Sequence, residues 1–119
     1  MTTTEIAARL VELCRQGQFE AAQKELYAED AVSLEPEASP GFEKETKGLQ
    51  GIIEKGRKFQ AGIETEHGLS ISDPVIAPNS FAFSLNMDIT MKGHKRMDMN
   101  ELCLYKVKDG KIVSEEFFM

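Results

Sequence analysis

Three glutamates, one histidine and one tyrosine are the side chains of this sequence whose settings could do acid–base chemistry: Glu35, Glu101, Glu115, His67 and Tyr105. A carboxyl group enclosed among apolar side chains has its pKa raised toward neutrality, where it can both take and give a proton. Glu35 stands immediately before Pro36, and a proline forces extended backbone on the residue ahead of it. Glu35 is therefore expected to end a short strand at the mouth of a loop. Glu101 alternates in phase with Met99 and Cys103. If that face is the inner one, a carboxylate sits among methionines; shifted by one residue, it meets water or pairs with Arg96 or Lys95. In Val113-Ser-Glu115-Glu-Phe117 either acidic residue can face inward, and the other is then surface. His67 opens a strand between Glu66 and Gly68, where it could reach the rim of a pocket, while His94 lies in a solvated Lys-Gly-His-Lys tip.

Glu35, Glu101 and His67 could formally make a two-carboxylate, one-histidine metal site, but the close paired spacing that signals one is missing, so no metal is expected. Cys14 and Cys103 stand far apart, without a Cys-x-x-Cys or a nearby histidine. Both are expected to be reduced, packed thiols. The 20 acidic and 14 basic residues give a net charge of −6, the wrong sign for a protein whose main partner is nucleic acid. The basic clusters, Lys55 to Lys58 and Lys92 to Arg96, read as solvated faces and hairpin tips. Met1-Thr-Thr-Thr-Glu-Ile lacks the basic and apolar regions of a signal peptide, and no apolar run has membrane-spanning length. A cytoplasmic protein without membrane contact is the expectation.

The elements that must position these side chains are legible in the spacing. At 119 residues the chain is long enough for one domain with its own core. Thr2-Thr-Thr-Glu5 has capping-box spacing, and Ile6, Leu10, Leu13 and Cys14 recur at helical intervals up to Gly17. A second helix is predicted over 19–27, a short strand over 31–34, a loop or lid over 37–47, and a third helix marked by Leu49, Ile52, Ile53, Gly56 and Phe59. Four strands follow, over 67–76, 81–91, 96–107 and 112–118, separated by turn chemistry at Pro78-Asn-Ser80, Lys92-Gly-His94 and Lys108-Asp-Gly110. Helices first and an antiparallel meander afterwards is an α+β order. Alternation puts Phe81, Phe83, Leu85, Met87, Ile89 and Met91 on the helix-facing side of one strand. The 96–107 strand carries apolar residues on both faces, with Leu102 and Leu104 outward. A homodimer packed through the outer sheet face is the expected cover.

Two stretches, Leu26-Tyr-Ala-Glu-Asp-Ala-Val-Ser-Leu-Glu-Pro36 and Tyr105-Lys-Val-Lys-Asp-Gly-Lys-Ile-Val-Ser-Glu-Glu-Phe-Phe118, resemble the nuclear transport factor 2-like superfamily, in particular its SnoaL-like branch. The resemblance implies a cone-like α+β barrel: three N-terminal helices packed on a curved, mostly antiparallel sheet around a ligand pocket. Glu35-Pro36 is similar to the place of the general base in ketosteroid isomerase, a member that sets an Asp base against a Tyr and a protonated Asp. Those two partners fall on Leu10 and on or near Cys103, so the same steroid chemistry is not implied. What the resemblance does imply is an isomerase or cyclase that needs no cofactor. Glu35 would be its carboxylate base and Glu101 the polar neighbour, acting on an apolar carbonyl compound. His67, Phe83, Met87, Met99, Cys103, Tyr105 and Glu115 would line the pocket. Two alternatives share the scaffold, a noncatalytic binding protein and a dimeric protein-interaction module, because one fold hosts many functions.

Overall fold

The computed structural model describes residues 1–119. Two short helices come first, α1 over Thr3–Arg15 and α2 over Phe19–Leu26, followed by strands β1 (Tyr27–Leu34) and β2 (Glu45–Lys47). Helix α3 (Leu49–Gly62) leads into β3 (Ile63–Ile71), β4 (Val75–Ala77), β5 (Ser80–Met91), β6 (Arg96–Lys108) and β7 (Lys111–Phe118). The expected capping box forms: Thr2 Oγ1 accepts from the Glu5 amide at 3.1 Å, and Glu5 Oε1 accepts from the Thr2 amide at 2.8 Å. Those bonds satisfy two of the donors that a helix start leaves open. Helix α1 then buries Ile6, Ala7, Leu10, Val11, Leu13 and Cys14 along one stripe.

The seven strands form one sheet in the order β2-β1-β7-β6-β5-β3, with β4 added beside β5. All neighbours are antiparallel except β1 and β7, which run parallel one strand in from the β2 edge. The helices cover the concave face, where Phe81, Phe83, Leu85, Met87 and Ile89 of β5 and Cys103, Tyr105 and Val107 of β6 are buried. Tyr105 stacks on Phe81 with ring centroids 5.0 Å apart and tilts against Phe83 at 5.3 Å. This is the mixed, mostly antiparallel α+β cone that the sequence implies.

Boundaries differ from expectation where turn signals and strand ends disagree. The strand expected over 67–76 is two: β3 starts earlier, directly from α3, and stops at Ile71, and β4 resumes after Pro74, whose missing N–H cannot continue a ladder. The loop expected over 37–47 contains β2, whose Thr46 pairs with Ser33. The strand expected over 31–34 begins four residues earlier, at Tyr27, where α2 passes into β1 without a turn. The β6–β7 hairpin turns through Asp109 and Gly110, with φ of 53° and 75°, two left-handed positions that suit an Asp-Gly pair.

Candidate functional site

The parallel pairing of β1 with β7 sets Ser33 beside Glu115, and the antiparallel pairing of β7 with β6 sets Tyr105 beside the same glutamate. Register therefore resolves the ambiguity of the last strand: Glu115 points into the cone, and Glu116, paired with Leu104, lies on the opposite face. Glu115 is 3% exposed and Ser33 not at all. The Glu115 carboxylate accepts from the Tyr27 hydroxyl on Oε1 and from the Ser33 hydroxyl on Oε2, the latter at 2.6 Å. Burial pushes its pKa above the usual carboxylate range, against the pull of the Ser33 and Tyr27 hydrogen bonds and the Lys55 charge.

From Ser33 the network runs outward. Lys55 Nζ donates to Ser33 Oγ at 2.6 Å and to Glu35 Oε1 at 3.0 Å, and it stands 5.8 Å from the centre of the Phe117 ring. The side chain of Lys55 is 15% exposed and that of Glu35 27%, so this ion pair is the end of the network that solvent partly reaches. Lys55 corrects the sequence expectation that the 55–58 cluster is a solvated face. It comes three residues after Ile52 and four before Phe59, the spacing that places a helical side chain on the inward stripe.

Glu101 stands on the inner face of β6, paired in register with Leu85 and flanked by Met99 and Cys103. Its pKa is raised to about 7, first by burial, then by the charges of Glu35 and Glu115, with Lys55 and the Cys103 thiol acting in the opposite sense. Cys103 Sγ lies 3.9 Å from Glu101 Oε1. A carboxyl group of this kind changes its protonation state around neutral pH, which suits acid or base work.

Of the other residues expected to line a pocket, Phe83, Met87, Cys103 and Tyr105 form the packed inner wall, and Met99 is half-buried on the same side. His67 is a correction. A register shift in the β3–β5 pairing between Glu66 and Gly68 leaves it exposed, with Nε2 2.8 Å from Thr90 Oγ1, away from the glutamate cluster. Tyr27, Ser33 and Lys55 are the members of the network that sequence reasoning missed. For the first two, the available signal was their shared phase with Ala31 along β1, where all three are buried. No group of three His, Cys, Asp or Glu side chains is placed to hold a metal ion, and no helix is long and apolar enough to cross a membrane. Two surface hollows, of about 480 and 620 Å³, lie beside α1 and around the β3, β5 and β6 strands near the C-terminus. Of the site residues only Glu101 borders one of them, the larger.

Both cysteines are buried, and burial raises their thiols, Cys14 to about 12 and Cys103 further still. Little thiolate exists at neutral pH under those conditions, and the thiolate is the reactive form. Native protein is expected to react slowly with a thiol reagent and to release both thiols quickly in denaturant. Fast labelling of two thiols in folded protein would contradict this.

A SnoaL-like domain model matches residues 1–119. Among solved structures, a protein from Mesorhizobium loti, provisionally assigned as a SnoaL-like polyketide cyclase, shares 33% identity over 100% of both chains with a TM-score of 0.92. A protein of unknown function with a cystatin-like fold from Xanthomonas campestris shares 19% identity over 99% of this chain and 90% of its own, with a TM-score of 0.83. A protein with a ketosteroid isomerase-like fold from Catenulispora acidiphila, solved with trimethylamine, shares 18% over 99% and 87%, with a TM-score of 0.74. The latter two show the fold alone. No protein of curated function matches the sequence. The whole-length match to the domain model, together with 33% identity over the full length of both chains, establishes that the chain belongs to the SnoaL-like domain family.

Proposed function

We propose that this protein binds a small carbonyl compound at the mouth of its cone and moves a proton on it, as an isomerase or cyclase does. The observation that carries the reading is Glu101, a half-buried carboxyl group with a pKa of about 7, close enough to the Lys55–Glu35 pair for all three charges to interact. The base is thereby assigned to Glu101 and not to Glu35, because the Glu35 carboxylate already holds the Lys55 ammonium. In the step envisaged, the Glu101 carboxylate takes the proton from the carbon next to the carbonyl. The C–H electron pair moves into the C–C bond and the carbonyl π pair onto oxygen, giving an enolate. Lys55 has three N–H donors, two of them used by Ser33 and Glu35, and the third is free for that oxygen. The Glu101 acid then returns its proton to carbon. Proton transfer of this type is chemistry that side chains supply.

The test is hydrogen–deuterium exchange at the α-carbons of a panel of small ketones and β-dicarbonyl compounds in D₂O, followed by NMR. Exchange accelerated by the wild-type protein and lost in Glu101→Gln supports the reading; no acceleration with any compound that binds overturns it in favour of a noncatalytic binding protein.

A second feature favours self-association. Leu102 and Phe118 are cross-strand partners, 47% and 43% exposed, beside Met119 at 76%. Adjacent exposed apolar side chains of this size are what a sheet-to-sheet contact covers. The outer face is proposed as a homodimer interface, with a dimer mass expected by light scattering at micromolar concentration. Leu102→Asp is expected to weaken it by about 100-fold or more, since a charge in an interface core costs several kcal/mol, without loss of helix content by circular dichroism. A monomer mass for the wild type would remove the proposal.

A further inference from the structure

We infer that Ser33, Glu115 and Tyr27 are positioning residues that tether the Lys55 ammonium, so that the positive charge at the cone mouth is held at one place by a hydrogen-bonded chain reaching into the core. The inference rests on the reading of Lys55 as the cation of the site, and deepens it.

Donor and acceptor counting sets the direction of the chain. A lysine ammonium only donates, a serine hydroxyl has one proton, and a carboxylate only accepts. Because Ser33 accepts from Lys55, its single proton is free to go to Glu115 Oε2, and the other oxygen of Glu115 takes the Tyr27 hydroxyl. The order is thus Tyr27 to Glu115, Ser33 to Glu115, Lys55 to Ser33 and Lys55 to Glu35. No buried side-chain polar atom is left without a partner. Each link is fixed by the one beneath it, since Tyr27, Ser33 and Glu115 are almost completely shielded from water that could substitute.

A carboxylate is a poor choice for stabilising a core, because an apolar group of similar volume often serves as well or better. The arrangement around it has another consequence here. With Lys55 able only to donate to the Ser33 oxygen, Ser33 points its proton inward to Glu115 Oε2 and its lone pairs toward Lys55. A lysine side chain has four flexible carbons and loses considerable freedom when held. Three points confine this one: the Ser33 oxygen, the Glu35 carboxylate and the Phe117 ring. Lys58, one turn further along α3, is exposed, bonded to the Gly41 carbonyl and set 5.0 Å from the centre of the Phe42 ring, with no tie to Ser33 or Glu115, and it serves as an internal comparison.

The tether is tested without any substrate, by NMR of the lysine ammonium groups in the cold. Wild-type protein is expected to show a slowly exchanging Lys55 ammonium signal, identified by its loss in Lys55→Gln. Ser33→Ala is expected to speed its exchange with water by about tenfold, the effect of about one net hydrogen bond, with Lys58 unchanged. Tyr27→Phe and Glu115→Gln act one link further away and should speed it less, in the same direction. They are read in the same way if Ser33→Ala fails to fold. Lys55 exchange that is unaltered in the folded variants overturns the inference. Absence of α-proton exchange on ketones, with Lys55 still tethered, would instead count against the enzymatic reading alone.

Discussion

Replacement of Glu101 by Gln is expected to lower α-proton exchange by about 10²–10⁴-fold, the range that a positioned general acid or base contributes, while leaving ligand affinity nearly unchanged. The same substitution has an opposite consequence for stability. The folded-state pKa of Glu101, about 7, lies above its ordinary value of 4.5. Between those two pH values the native protein therefore binds more protons at this site than the unfolded chain, and stability falls as pH rises. The favourable contribution is complete below about pH 4.5 and is gone once pH passes about 7. The separation corresponds to at most about 3 kcal/mol, reduced by solvent on the open side of the side chain. Gln cannot ionise, so the variant is expected to lose less stability than the wild type between pH 5 and pH 8 and to be the more stable protein at the higher pH. Urea denaturation of both proteins at the two pH values measures this. A difference between them that does not change with pH would show that Glu101 titrates like a solvated carboxylate, and would remove it as the proton carrier.

Lys55→Met carries the second large effect. It leaves Glu35 without its ion-pair partner and Ser33 without its donor. Losing one member of a buried pair costs about 3–5 kcal/mol, and the lower end applies because Glu35 retains some contact with water. With the fixed cation gone, turnover should fall by about 10²–10³-fold, as when an oxyanion donor is removed. Lys55 lowers the Glu101 pKa and Glu35 raises it. The midpoint of Glu101, followed by carboxyl ¹³C NMR, is therefore expected to rise in Lys55→Met and to fall in Glu35→Gln, by about one pH unit each way. Movement in the same direction in both variants would mean that the three groups do not share one electrostatic environment.

The fold was readable because its determinants are local and periodic. A capping box opens α1, the strands alternate with period two, and Lys108-Asp-Gly110 demands the hairpin that joins β6 to β7. The inward phase of Met99, Glu101, Cys103 and Tyr105 follows from that alternation, since neighbours two apart on a strand share a face. Strand ends were less legible: β1 reaches back to Tyr27 and β3 starts at Ile63 because each continues directly from a helix, and helix-to-strand transitions without a turn residue leave no mark in composition.

The site needed the tertiary structure. Whether Glu115 or Glu116 faces inward depends on the register of β7 against both β1 and β6, and a shift of one residue exchanges the two. Its position on a strand points His67 toward a rim, and an irregularity in the β3–β5 pairing puts it outside. In sequence Lys55 is part of a basic run that reads as exposed, yet helical spacing lays it over the end of β1, where Ser33 and, just past the strand, Glu35 receive it. By itself the sequence determined the α+β cone and the inward strand of methionine, glutamate and cysteine. Tertiary structure decided which charges meet inside it, because residues 27, 33, 35, 55, 101 and 115 become neighbours only when α3 packs on β1 and the sheet pairs β1 with β7 and β7 with β6.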